Sequence, residues 1–198
     1  EMEKVIRFWL EDVGVDGFRL DGARYVIEEG ETLADSETNL QYFQDLRTYV
    51  MDINPQALLL GEVWTSGFVT AGYIKQEALD LVFEFDLASA FISSAGAGRA
   101  ESALNQLLFS LKLFPDNRFA PFLTNHDMNR VLSQLGGDID KAKNAAAMLL
   151  TAPGVPFVYY GEEIGMAGVK PDEDIRTPMQ WSAEKHAGFT TGIPWRAV

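Results

Sequence analysis

Five short, largely apolar runs, at residues 15–20, 57–61, 79–83, 119–123 and 155–160, are separated by stretches with helical spacing. Strands that are apolar along most of their length, rather than alternating polar with apolar, belong to a sheet covered on both faces. The intervening segments supply the covers. Met2, Val5, Ile6, Phe8, Trp9 and Leu10 recur with a period that stops at Val13 and Gly14. Leu40, Phe43, Leu46, Tyr49 and Val50 form a second stripe that must end before Pro55. Leu104, Leu107, Leu108 and Leu111 form a third, closed by Pro115, and residues 140–151 are an alanine-rich fourth. The alternation predicts a parallel α/β architecture. A doubly wound sheet would satisfy the same pattern, so the location of the polar residues has to decide. Asp21 and Glu62 follow two of the apolar runs directly, and Asp127 follows the run that extends to Asn125. Carboxylates at the C-terminal ends of several strands are the mark of a (β/α)₈ barrel, whose active-site rim lies there.

The bulk numbers narrow the class. With 16 basic against 29 acidic side chains the net charge is −13, which repels phosphate backbones and anionic lipid surfaces, so neither nucleic acid nor membrane is expected as a partner. The absence of cysteine removes disulfide scaffolds and thiolate metal sites and leaves the compartment open. The longest apolar stretches, 145–152 and 155–160, are far shorter than a membrane-spanning helix. The chain begins at Glu1 inside a helical pattern, so its natural start is expected upstream, and localisation is unknown.

An acidic residue after a strand often does no more than cap the next helix. Three together suggest a division of labour. One carboxylate can attack a sugar carbon while a second, kept protonated, gives its proton to the departing oxygen. A third can steady the oxocarbenium-like charge.

The residues around these acids resemble a family. The segments Gly17-Phe18-Arg19-Leu20-Asp21-Gly22-Ala23-Arg24-Tyr25, Gly61-Glu62-Val63-Trp64 and Phe122-Leu123-Thr124-Asn125-His126-Asp127 look like the second, third and fourth signature regions of the α-amylase family, in the family's order. Tyr159-Tyr160-Gly161-Glu162-Glu163-Ile164-Gly165 and Arg176-Thr177-Pro178-Met179-Gln180-Trp181 follow them, and the resemblance covers nearly the whole chain. It implies that Asp21 is the nucleophile of a retaining glycosidase, Glu62 the general acid/base, and Asp127 the carboxylate that binds sugar hydroxyls in the transition state. It implies that His126 donates to substrate hydroxyls. Asp172 and Arg176, four apart on the loop after the last strand, are expected to hold donor-side glucose units, with a surface ion pair as the alternative. Arg19 and Asp21, two apart on one strand, share a face, where a guanidinium favours the ionised form a nucleophile needs. A plain structural ion pair is the other reading of Arg19. Trp64, Phe68, Tyr25 and Trp181 could offer flat faces to pyranose rings, Trp64 being the best placed beside Glu62. The Glu162-Glu163 pair is expected to be structural.

The resemblance implies a partial TIM (β/α)₈ barrel, roughly strands 4 to 8 with their helices, because a whole barrel takes about 250 residues. Residues 1–198 are then the C-terminal part of the catalytic domain. The first three βα units, the calcium-binding insert and a C-terminal β-domain would lie outside it, and the fragment alone is expected to be inactive. No cofactor is needed for the chemistry. A structural calcium is possible in a full-length enzyme, although Tyr25 stands where many α-amylases have a histidine, and no ligand cluster is evident here. The expected substrate is an α-glucan or maltooligosaccharide, cut mainly at α-1,4 bonds. Within the family, an α-glucosidase, an oligo-1,6-glucosidase or a trehalose-forming transglycosylase remains open. From other classes there remain a non-catalytic barrel partner and a metal-dependent barrel enzyme. The first would have lost the acids, and the second would need metal ligands where the sequence supplies an arginine.

Overall fold

The computed structural model describes residues 1–198. Three β-strands alternate with helices in the first part of the chain and five of the eight α-helices follow the last strand; the chain packs as two compact units. One comprises Glu1–Phe85, Leu108–Ala120 and Pro153–Val155, the other Asp86–Leu107, Pro121–Ala152 and Pro156–Val198.

In the first unit, helix α1 (Met2–Arg7) runs into a π-helical turn over Phe8–Val13 and buries Ile6 and Leu10. Gly14 ends it at φ 80°, in the left-handed region that glycine enters without a steric penalty. Strand β1 (Gly17–Leu20) then pairs in parallel with β2 (Leu58–Gly61), Gly17 opposite Leu58 and Leu20 opposite Gly61. Strand β3 (Leu81–Val82) adds to the far side of β2. Parallel neighbours need long crossovers. These are α2 (Glu37–Ile53), capped by the Ser36 hydroxyl, which accepts the Asn39 N–H at 3.0 Å, and α3 (Gly67–Lys75). Phe43, Leu59, Ile74, Leu79, Val82 and Phe119 fill the core of this unit.

Three of the five expected strands are regular; the later two are not. The run at 119–123 meets β3 through a single parallel bridge, Phe83 with Ala120, where Ala120 N–H donates to Val82 O at 2.7 Å and Glu84 N–H to Ala120 O at 3.0 Å. At the run 155–160, Val155 N–H donates to Phe119 O at 3.0 Å, and in the second unit Phe157 N–H donates to Pro121 O at 2.9 Å. Pro121 and Pro156 carry no N–H, so the ladder cannot close around them and the chain stays extended without forming a continuous strand.

Two of the longer helices were not evident from periodicity. Helix α3 buries Gly67, Thr70, Ala71, Tyr73 and Ile74, and α4 (Phe85–Ala97) buries Leu87, Ala88, Ala90, Phe91, Ser94 and Ala95. The open face of α3 carries Phe68 and Val69, and that of α4 is a narrow strip with Asp86, Ser89 and Ser93 among small residues, so neither shows a broad polar face. Helix α5 (Glu101–Leu113) forms where the periodicity predicts, but Leu104 and Leu108 of the expected stripe are exposed, and the helix buries Ala103, Ser110 and Leu113 instead. The second unit also holds α6 (Val131–Gln134), α7 (Ile139–Thr151) and α8 (Asp172–Ile175). Asp138 caps α7, its carboxylate accepting the Asp140 and Lys141 N–H groups at 3.0 Å each. Leu87, Phe91, Leu123, Leu149 and Ile175 are buried in this unit.

At Gly17 a Cβ would overlap the backbone of Leu58 on the partner strand. Gly17→Ala should therefore cost about 2 kcal/mol, as overpacking does, and lower the thermal midpoint by about 4–8 °C. An unchanged midpoint would show that β1 can move away from β2.

Candidate active site

The sequence-derived residues fall into two groups, each built within one unit. The first starts from the register of β1 and β2. Because Leu20 lies opposite Gly61, the next residues, Asp21 and Glu62, leave adjacent strand ends together, and Glu62 N–H donates to Leu20 O at 2.9 Å. Arg19 is two residues before Asp21, on the same face of β1. Its Nη1 donates to Asp21 Oδ1 and its Nη2 to Glu62 Oε2, so one guanidinium joins both carboxylates. Their surroundings differ. The Asp21 side chain is 82% exposed and that of Glu62 15%, so the second is the better shielded from water.

Trp64 lies two residues beyond Glu62. Its ring stacks on Phe85 with centroids 4.4 Å apart and planes 8° from parallel. Half of the side chain's surface remains open, leaving an aromatic surface available for a flat apolar ligand. Phe68 is exposed and meets Phe109 edge-on at 5.5 Å. The Tyr25 ring lies under the Arg24 guanidinium at 5.1 Å.

The second group is built on the turn after residue 123. Asn125 accepts the Asp127 N–H through its side chain at 2.9 Å, a side-chain turn that sets the direction of Asp127. Arg176 binds the turn at two points and makes a third contact to Asp172. Its Nε donates to His126 O, and its Nη2 to Asp127 Oδ1 and Asp172 Oδ2, each at 2.8 Å. His126 Nε2 lies 3.2 Å from Asp127 Oδ2. Lys170, 3.2 Å from Asp172, lowers the pKa of that carboxyl, and Arg176 adds to the shift. Asp172 and Arg176, expected on a loop, lie on a single helical turn, α8, with Asp172 as its first residue and Arg176 as its C-cap. Trp181, by contrast, is exposed and stands apart from this cluster of contacts.

Several polar residues were not singled out from the sequence. Asn39 is fully buried in α2; its Nδ2 donates to Ala23 O and to Tyr73 OH at 2.9 Å each, and its Oδ1 accepts the Ile27 N–H at 2.9 Å. An asparagine on a helix face shared with Phe43 was the available signal, since a polar residue on a buried stripe must have partners. Arg130 is wholly buried, its guanidinium 4.7 Å from the ring centres of both Tyr159 and Tyr160. Its Nη1 donates to Tyr160 O at 2.7 Å, while Nε and Nη2 have no hydrogen-bond partner. Glu162 accepts from the Thr124 hydroxyl, and its Oε2 is sealed from solvent without a partner. Burial pushes this carboxyl up to about 7, against the opposing pull of Thr124, backbone N–H groups and Arg130. No three His, Asp or Glu side chains gather into a group that could hold a metal ion, so no calcium ligand set is assigned to these residues.

Residues 1–198 match the family described as "Alpha amylase, catalytic domain". The chain is 39% identical over 195 residues to Alpha-amylase 3 of Dictyoglomus thermophilum, which covers 96% of this chain and 37% of that protein. Among solved structures, an alpha-amylase from H. orenii is 41% identical with a TM-score of 0.80, covering 91% of this chain and 37% of that one. Eubacterium rectale Amy13B is 36% identical with a TM-score of 0.83, covering 100% of this chain and 39% of that one. The chain thus spans little more than a third of the length of these relatives.

Glu162 supplies a pH test. Its carboxyl titrates near 7 when folded, against an ordinary 4.5, so its stabilising contribution is complete below about pH 4.5 and is lost as the pH rises through about 7. The thermal midpoint of Glu162→Gln, which cannot ionise there, should gain on that of the wild type between those limits. Parallel curves across this window would mean that the carboxyl is not held protonated.

Proposed function

The chain belongs to the α-amylase family, and from that membership we propose that the protein is a retaining glycoside hydrolase acting on α-1,4-linked glucans or maltooligosaccharides. Family membership makes the chain a piece of a TIM barrel. In our reading that piece runs from the fourth strand to the loop after the eighth. The observation that carries the chemistry is the shared guanidinium: Arg19 binds Asp21 and Glu62 at once, on neighbouring strand ends. A retaining pair must lie about 5–5.5 Å apart, close enough for one carboxylate to attack while the other protonates.

In the first step the Asp21 carboxylate attacks the anomeric carbon. The bond to the glycosidic oxygen breaks, and Glu62 gives that oxygen its proton, releasing the leaving glucan as an alcohol and leaving a glycosyl ester on Asp21. In the second step Glu62, now ionised, takes a proton from water. The water oxygen bonds to the anomeric carbon, and the ester bond to Asp21 breaks. Exposure fits the role of Asp21, whose open carboxylate can be reached by a sugar, while Glu62 sits deeper beside it. Asp127, with His126 beside it and Arg176 fixing its direction, is assigned to the hydroxyls of the distorted ring, Asp172 and Arg176 to donor-side glucose, and Trp64 to a stacking contact.

In the full-length protein, Glu62→Gln should abolish turnover of maltooligosaccharides while leaving their binding largely intact, since the amide keeps the shape but has no proton to give. Asp21→Asn should prevent the glycosyl ester from forming, which mass spectrometry of the trapped intermediate reads directly. Either variant turning over at a near wild-type rate would remove the assignment. Product analysis on the wild type separates hydrolysis from transfer to a second sugar: new reducing ends in step with bond cleavage indicate water as the acceptor.

A further inference from the structure

We propose that Arg24 and Asp35 are positioning residues for the general acid/base, holding the Glu62–Trp64 segment through the backbone carbonyl of Trp64. The inference rests on the assignment of Glu62 above. Three successive carbonyls of this segment are each captured by a different group: Glu62 O accepts the Ala23 N–H at 3.0 Å, Val63 O the Thr70 hydroxyl at 2.9 Å, and Trp64 O the Arg24 Nη1 at 3.0 Å. Two of the three donors belong to the turn that follows Asp21, so the segment bearing the acid is registered against the segment bearing the nucleophile.

Arg24 is itself anchored. Its Nε and Nη2 donate to Asp35 Oδ2 at 3.1 and 2.5 Å, and Asp35 N–H returns a bond to Arg24 O at 2.8 Å. The hydrogen bond to Asp35 raises the Arg24 pKa further. Asp35 sits at φ 55°, a conformation costly for most side chains and tolerated by aspartate. Its other oxygen accepts from Tyr73 OH at 3.0 Å. Burial, followed by the Asp35 charge, raises the Tyr73 pKa and keeps that phenol a donor. Buried Asn39 ties Tyr73 OH to Ala23 O. A planar guanidinium with several fixed donors can grip Asp35 and Trp64 O together, whereas a lysine ammonium is a single point and would serve one.

The test uses the full-length protein and a series of aryl α-maltosides that differ only in leaving-group acidity. A poor leaving group such as phenoxide needs the acid's proton; 2,4-dinitrophenoxide leaves without it. If Arg24 places Glu62, Arg24→Met should lower kcat/KM on the phenyl substrate by about 10- to 100-fold, the scale of small misplacements. On the dinitrophenyl substrate the loss should stay within about threefold, because that departure needs no proton. Arg24→Lys should recover part of the loss. Asp35→Asn, which keeps the shape and weakens the anchor, carries the same comparison should Arg24→Met fail to fold. An equal loss on every aryl leaving group, or none on any, would overturn the positioning role. A wild-type protein that cleaved neither substrate would overturn the hydrolase reading beneath it.

Discussion

Two carboxylates leaving adjacent strands repel one another, and the guanidinium of Arg19 makes their closeness tolerable. Two like charges about 5 Å apart cost about 3 kcal/mol at the effective dielectric of a protein surface, and less where one faces water as Asp21 does. A cation between them offsets that repulsion. Arg19 supplies the cation from the face of β1 that also presents Asp21. Gly17 at the start of β1 and the crossover helices behind the sheet hold that register in place.

The chain's early part was the easiest to read because its signals are local. An apolar run followed by Asp21, another followed by Glu62, and an arginine two residues before the first acid are enough to put all three on one sheet edge. The first helix ends at Gly14, as the loss of periodicity indicated. The failures share a physical cause. Helix α3 exposes apolar Phe68 and Val69, and α4 sets mainly short side chains such as Ser89 and Ser93 on its open face, so in neither does the polar face stand out. The runs containing Pro121 and Pro156 have strand composition without the N–H groups a ladder requires. Asn39, Arg24 and Asp35 escaped notice because their value lies in bonds to residues as much as 40 positions away along the chain, and spacing along a sequence does not report such bonds.

The second unit handles buried charge differently. Arg130 has two nitrogens without conventional partners and lies instead between the faces of Tyr159 and Tyr160, where the negative face of an aromatic ring replaces part of the lost hydration. Glu162 takes the other course and is held near neutrality by burial. Thr124, which donates to it, opens the turn that carries His126 and Asp127. A residue expected to be structural therefore lies under a proposed substrate-binding turn.

The capture of the Trp64 carbonyl also separates two kinds of information at one residue. The backbone at position 64 is bound to Arg24, while the indole rests on Phe85 and otherwise faces outward. The open face of the side chain is thus uncoupled from what the main chain holds in place. Exchange of the indole for another ring or a smaller group alters the surface that rests on Phe85 and leaves the hydrogen bond to Arg24 intact, because no side-chain atom of residue 64 takes part in it.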